Sequence, residues 1–207
     1  MSVTEYSIKG GVGRVDRVSS ELATFFEVKP GHAEELREAV QRFEEKIRAQ
    51  EPPEVIHTGL RSTRHVIFDE GTRLLWCTTF ETDFDPYFDD AIMTVGVENF
   101  IDWIQHTTEG DAIVDWYERS GGAAAFDQNR DDYEEIALKA LPELKEIITH
   151  VQVGAAAYFE SLSTWTMTEV IRAAQLTAAF NEVLEDPAAE QALQHPALRP
   201  LLELASA

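Results

Sequence analysis

Residues 21–81 read ELATFFEVKPGHAEELREAVQRFEEKIRAQEPPEVIHTGLRSTRHVIFDEGTRLLWCTTFE, and their pattern decides the fold. Leu22, Thr24, Phe26 and Val28 alternate with Ala23, Phe25 and Glu27, the two-residue period of a half-buried strand rich in β-branched and aromatic side chains. Pro30-Gly31 ends that strand. Leu36, Ala39, Val40, Phe43 and Ile47 then recur at helical spacing, with acidic and basic residues on the other side, so the run His32 to Arg48 has one dry face. Glu38 with Arg42 and Glu44 with Arg48 stand four apart, acid first, which favours surface pairs on such a helix. Pro52-Pro53 is expected to stop any continuation. Residues 57–68 and 73–81 read as a hairpin turning at Asp69-Glu70-Gly71-Thr72.

Working outward, Asp85-Pro86 reads as an N-cap with proline at the first helical position. Gly96 breaks that helix, and Phe100, Ile101, Trp103 and Ile104 continue helically to His106. Gly121-Gly122 and the polar run 127–132 mark a long loop, and Tyr133 to about Ile148 is again helical, with a step expected at Pro142. Val151, Val153, Ala155, Ala157 and Phe159 alternate, so residues 151–161 read as the last strand of the sheet. Thr166 and Glu169 form a capping-box pattern that opens a helix to about Glu185, where Asp186-Pro187 ends it. The expectation is an α+β fold: an antiparallel sheet with helices on one face. It comprises a flexible leader over 1–20, one domain over 21–185 with a helical insertion at about 97–148, and a helical tail over 186–207.

The bulk properties narrow the partners. The 207 residues carry 38 acidic against 17 basic side chains, a formal net charge of −21, which repels phosphate backbones and anionic lipid surfaces. No apolar run reaches the roughly 20 residues needed to span a bilayer. The polar start of the chain has no secretory signal pattern, and a single cysteine, Cys77, suits a reducing compartment, so a cytoplasmic protein is expected. Gly10-Gly11-Val12-Gly13 lacks the preceding strand and following helix of a nucleotide fingerprint and reads as leader.

The strand, the Val28-Lys29-Pro30-Gly31 corner, the helix and the hairpin together resemble the ferredoxin-like unit of the dimeric α+β barrel superfamily. Its members include antibiotic-biosynthesis-type monooxygenases, chlorite dismutases and dye-decolourising peroxidases. Arg61 to Asp69, Phe80 to Tyr87 and Thr166 to Arg172 are also similar to a group of bacterial members of unknown function. The resemblance covers residues 21–81 and, more loosely, 151–161. It implies a homodimer in which two sheets pack face to face, as a one-layer sheet otherwise exposes a large apolar patch. The fold by itself is silent on chemistry.

The second strand holds the candidate site. Arg61, Thr63 and His65 fall on one face by the two-residue period, with Ser62 and Arg64 on the other. Facing a pocket between sheet and helices, Arg61 and His65 could hold a carboxylate or enolate oxygen, His65 could move a proton near neutral pH, and Trp76 could wall a flat ligand. The competing reading pairs these cations with acids such as Glu81 or Asp83 and gives Trp76, Trp103, Trp116, Tyr117 and Trp165 to packing, with Cys77 a small buried hydrophobe. A one-residue slip of the strand would reverse the faces.

The leading expectation is thus a small-molecule-binding homodimer with Arg61, Thr63, His65 and Trp76 at the ligand and no cofactor. A cofactor-free monooxygenase on an aromatic, polyketide-like substrate is the alternative, with Arg61 and His65 catalytic. A haem-dependent, peroxidase-like enzyme is a further one, with His106 or His150 as axial ligand, although the peroxidase branch's Gly-x-x-Asp-Gly motif is missing. No metal site is expected: His57 and His65 lie too far apart on one strand to share an ion, and the acids at 83, 85, 89 and 90 suit a helix start better than calcium.

Overall fold

The computed structural model describes residues 14–81 and 83–205, and the Gly10–Gly13 run lies outside them. Contacts divide the chain into two compact units, Met1–Thr166 and Met167–Ala207.

The first unit is α+β. Its sheet has three long antiparallel strands, β2 (Ser19–Glu27), β4 (Arg73–Phe80) and β3 (Leu60–Phe68), and a three-residue edge strand β1 (Arg14–Asp16), in the order β1-β2-β4-β3. β1 turns into β2 at Arg17, which holds φ at 58°, so strand residues lie within the expected leader of residues 1–20. Helix α1 (Ala33–Arg48) follows β2 and buries Leu36, Ala39 and Phe43. Pro52-Pro53 opens a helix, α2 (Pro52–His57), instead of only ending one. Proline's fixed φ and missing N–H suit the first helical positions, where that donor has no partner anyway.

Helix α3 (Phe84–Val95) starts at Asp83, two residues before the expected N-cap. Gly96, at φ 92°, separates it from α4 (Val97–Ile104), a backbone conformation that side-chain-bearing residues rarely adopt. Then come α5 (Gly110–Arg119), the short α6 (Gly122–Ala125) and α7 (Tyr133–His150), which runs through Pro142 without ending.

One face of the sheet is dry. Leu22, Thr24 and Phe26 of β2 and Leu74, Trp76, Thr78 and Phe80 of β4 are all buried there. α1 and α4 cover it: Phe43 meets Phe100 at 4.8 Å between ring centroids, and Phe26 meets Trp103 edge-on at 5.7 Å. Burying one such ring is worth about 1.5–3 kcal/mol. α3 joins through Tyr87, stacked on Phe80 at 4.1 Å with its hydroxyl 2.6 Å from Thr78 Oγ1. α5 and α7 pack behind, where Trp116 Nε1 donates to the Ala140 carbonyl at 3.1 Å and Lys145 pairs with Asp85 and Asp89.

Residues 151–161 form no strand. Only Gln152 makes an isolated bridge to Thr24, flanked by Phe25 N–H to Val151 O at 3.0 Å and Val153 N–H to Ala23 O at 2.8 Å. Beyond it the alternating positions are Ala155 and Ala157, too small to bury a face that would hold a strand in register. The outer edge of β2 is instead closed in three pieces. β1 pairs with its start and Val151–Val153 with its middle. The loop after α4 reaches its end, where Val28 bridges Thr107, Thr108 N–H donates to Glu27 O and Lys29 N–H to His106 O.

The second unit is wholly helical: α8 (Met167–Glu185), α9 (Glu190–Leu193) and α10 (Arg199–Ala205), linked by two single turns of tighter helix. None of these helices holds a fully buried residue. No helix among the described residues is long and apolar enough to cross a membrane.

Candidate functional site

β3 is the open edge strand, and its register decides which residues can act together. Leu60 pairs with Phe80 and Ser62 with Thr79, so Arg61 is an extra residue, a β-bulge. The strict two-residue period therefore fails at this point. Thr63 and His65, opposite Thr78 and Trp76, face the helices, and Arg61 turns to the other side of the sheet.

Arg61 is buried there, its side chain 4% exposed. Nε donates to Glu81 at 3.0 Å, Nη1 to Glu160, and Nη2 to the carbonyls of Leu162 and Trp165. A guanidinium so engaged has little capacity left for a substrate oxyanion. It clamps the segment 160–165 onto the sheet, and the expected acid, Glu81, is among its partners. Arg61 thus leaves the ligand set.

His65, Thr63 and Trp76 do meet. Trp76 Nε1 donates to Thr63 Oγ1 at 2.9 Å, and the His65 ring lies parallel to the Trp76 ring at 6.1 Å. Trp103 and Phe43 present edges to His65 at 4.8 and 5.5 Å. Part of His65 still borders a groove, but its Nε2 is enclosed and has no hydrogen-bond partner. Burial pushes its pKa down to about 4, so the imidazole is neutral at physiological pH. It is a neutral polar anchor there and not a resident cation.

The groove runs between α1 and β3, holds about 430 Å³, and is walled by Val40, Phe43, Ile47, Leu60, Thr63 and His65, with Arg48 and Glu44 at its rim. Behind Phe43 and Thr63 lies an apolar pocket reaching Trp76 and Phe100, with room for only about 20 Å³, roughly one water. Beside His65 the ligand-sized space is thus the groove and not the deep core.

The opposite face of the sheet carries a second cleft of about 580 Å³, between the strands and residues 153–160, lined by Glu21, Arg64, Cys77 and Tyr158. Burial raises the Cys77 thiol pKa while Arg64 lowers it, leaving a net rise that disfavours a thiolate. Tyr158 and Ser19 hydroxyls meet at 2.6 Å. Phe159, 82% exposed, stands beside this cleft, and Trp165, expected in the core, is 56% exposed.

The histidines considered for haem are placed differently. His106 Nδ1 lies 3.0 Å from His32 Nδ1, and His150 is exposed at the end of α7. Neither is among the residues that line the groove, the core pocket or the open-face cleft. Among the described residues no group of three or more histidine, cysteine or acidic side chains is arranged to hold a metal ion.

Sequence reasoning put His65, Thr63 and Trp76 together and missed Phe43 and Trp103 as the walls that isolate His65. Both stand on the dry stripes of their helices, a signal that marks burial but not what is buried against them. No protein-family model, curated protein or solved structure matches this chain.

Proposed function

We propose that the chain is a ligand-binding homodimer of the ferredoxin-like, dimeric α+β barrel type, taking a small, largely apolar molecule in the groove between α1 and β3. One observation carries this reading: a neutral imidazole with an unpartnered, enclosed Nε2 stands among Phe43, Trp76 and Trp103 at the side of an apolar groove. Leaving a buried polar atom unpaired costs about 1–3 kcal/mol, which a ligand donor would recover by parting the ring edges that enclose Nε2. The volume falls in the usual range for small-molecule sites.

The strand order β2-β4-β3, with α1 crossing from β2 to β3, supports the ferredoxin-like assignment. The fourth strand's place beside β2 is taken by β1 and Val151–Val153. For the homodimer, the open face brings the exposed apolar Val66, Val153 and Phe159 together beside Arg64, a patch that a two-fold related copy could cover. The cofactor-free monooxygenase keeps His65 and Trp76 and loses Arg61, and no contact favours it over binding.

The test is a titration of the full chain with 2-naphthol and with naphthalene, read by quenching of tryptophan fluorescence and by the His65 Nε2 nitrogen resonance. Binding that shifts this resonance and weakens in His65→Leu is expected. Saturable binding of neither probe would refute the reading. Light scattering gives the mass in solution, and a monomer at tens of micromolar would refute the dimer.

A further inference from the structure

We propose that His32 and His106 form a proton-sharing latch that ties the start of α1 to the loop after α4 and opens when both rings become charged. The two Nδ1 atoms are 3.0 Å apart and the ring centroids 5.3 Å. An imidazole nitrogen sits about 1.15 Å from its ring centre, so the centroid distance equals the Nδ1 separation plus two such radii, and the nitrogens meet head-on. Head-on lone pairs share a proton. Two ligands of one metal, at about 2.0–2.1 Å each, would instead aim at a point beside the line joining them.

One Nδ1 carries the hydrogen and the other accepts it. The bond survives in the neutral pair and in the pair with one extra proton, where the donor is an imidazolium. A second extra proton sets two N–H groups against each other at 3.0 Å, and the latch has no acceptor left.

The surroundings offer little compensation. Lys29 brings a further ammonium from the corner after β2, bonded to the Gln105 carbonyl at 2.8 Å and to Asp111 of α5 at 2.6 Å. Asp102 of α4 is occupied by Arg42 of α1 through two bonds at 2.8 and 3.0 Å. Glu35, in the first turn of α1, is exposed. Partial burial and His32 together hold the His106 pKa below the ordinary histidine range, against the opposing pull of Asp102 and Glu35.

The latch has a mechanical setting. His32 is the N-cap of α1 and makes no side-chain capping bond, so the imidazole pair adds to the His32 N–H to Lys29 O bond at 3.0 Å and to the Arg42–Asp102 pair in tying α1 to its surroundings. His106 belongs to the loop that closes the end of β2, through Lys29 N–H to His106 O at 2.9 Å and Thr108 N–H to Glu27 O at 2.8 Å. α1 and α4 also carry Phe43, Phe100 and Trp103, so loosening their junction loosens the aromatic wall of the groove.

The experiment uses the full chain labelled with 15N at histidine. At pH 7.5 a nitrogen–nitrogen coupling across the Nδ1–H···Nδ1 bond is expected between His32 and His106. It should vanish at the pH where both rings are charged, and protection of the Lys29 and Thr108 amides against exchange should fall about threefold to tenfold there, the loss of one ordinary hydrogen bond. His32→Asn keeps a competent N-cap, and its protection should stay at the lower level at both pH values. The absence of that coupling at pH 7.5, or amide protection that does not change between the two pH values, would overturn the proposal. Should the variant fold poorly, the wild-type coupling and titration decide alone.

Discussion

Replacing His65 by leucine should remove an identifiable part of the protein's acid sensitivity. In the folded chain the His65 pKa lies at about 4, against about 6.5 for an unperturbed histidine, because the buried ring resists taking charge. The unfolded chain therefore binds the proton more readily than the folded one. Stability is complete above about pH 6.5, falls as the pH drops from there towards about 4, and levels off below. The full loss is about 3 kcal/mol, from a gap of about 2.5 pKa units at 1.36 kcal/mol each, and about 2 kcal/mol of it is reached by pH 5. Urea unfolding at pH 7.5 and pH 5 for wild type and His65→Leu measures this. The other histidines, His106 included, contribute equally to both proteins, so the difference of differences belongs to His65. The variant should lose about 2 kcal/mol less than wild type, and at pH 7.5 it should be no less stable, as it removes an unpartnered buried nitrogen. An equal loss in both proteins would show that the ring is solvated in the folded state and would undo the anchor assigned to it.

Three further outcomes are expected. Arg61→Ala should cost about 3–5 kcal/mol in urea unfolding, as it removes the guanidinium from a buried ion pair with Glu81 and unclamps residues 160–165, while 2-naphthol affinity stays within about twofold at temperatures where the variant is folded. A large affinity loss in folded Arg61→Ala would return Arg61 to the ligand. Thr63→Val should cost about 1–3 kcal/mol by leaving Trp76 Nε1–H buried without its acceptor, and an unchanged unfolding midpoint would contradict that bond. Gly110→Ala should cost about 1–3 kcal/mol, since its Cβ would stand 2.0 Å from the Ile104 carbonyl oxygen, and a neutral result would mean the loop into α5 yields freely.

Much of the first unit is legible in the sequence because local and long-range preferences agree there. The alternation at residues 22–28, the dry stripe from Leu36 to Ile47 and the hairpin at Asp69–Thr72 each favour one structure, and Gly96 breaks the helices where expected. Arg61 was misassigned because a bulge leaves the residue pattern intact while shifting every side chain before it to the other face, and what stabilises this one, Glu160 with two carbonyls, lies about a hundred residues away. Residues 151–161 carry a strand's alternation without its bulk, so periodicity alone overstated them. His65 was visible as a candidate, but its neutrality comes from Phe43, Trp76 and Trp103 converging from three elements, which no single window contains.

The piecemeal edge of β2 bears on the order of assembly. β2, α1, β3 and β4 find one another across short loops, whereas Val151–Val153 must arrive at Ala23 and Phe25 after the helices up to α7 have been laid down. Loop closure over so long a stretch is slow to be rewarded, so this contact belongs late on the folding route, after the main barrier. Weakening it should quicken unfolding and leave the folding rate nearly untouched. The free flank of β2 would then stay open for pairing with another chain throughout the earlier steps, which makes that strand the place where misassembly between copies would begin.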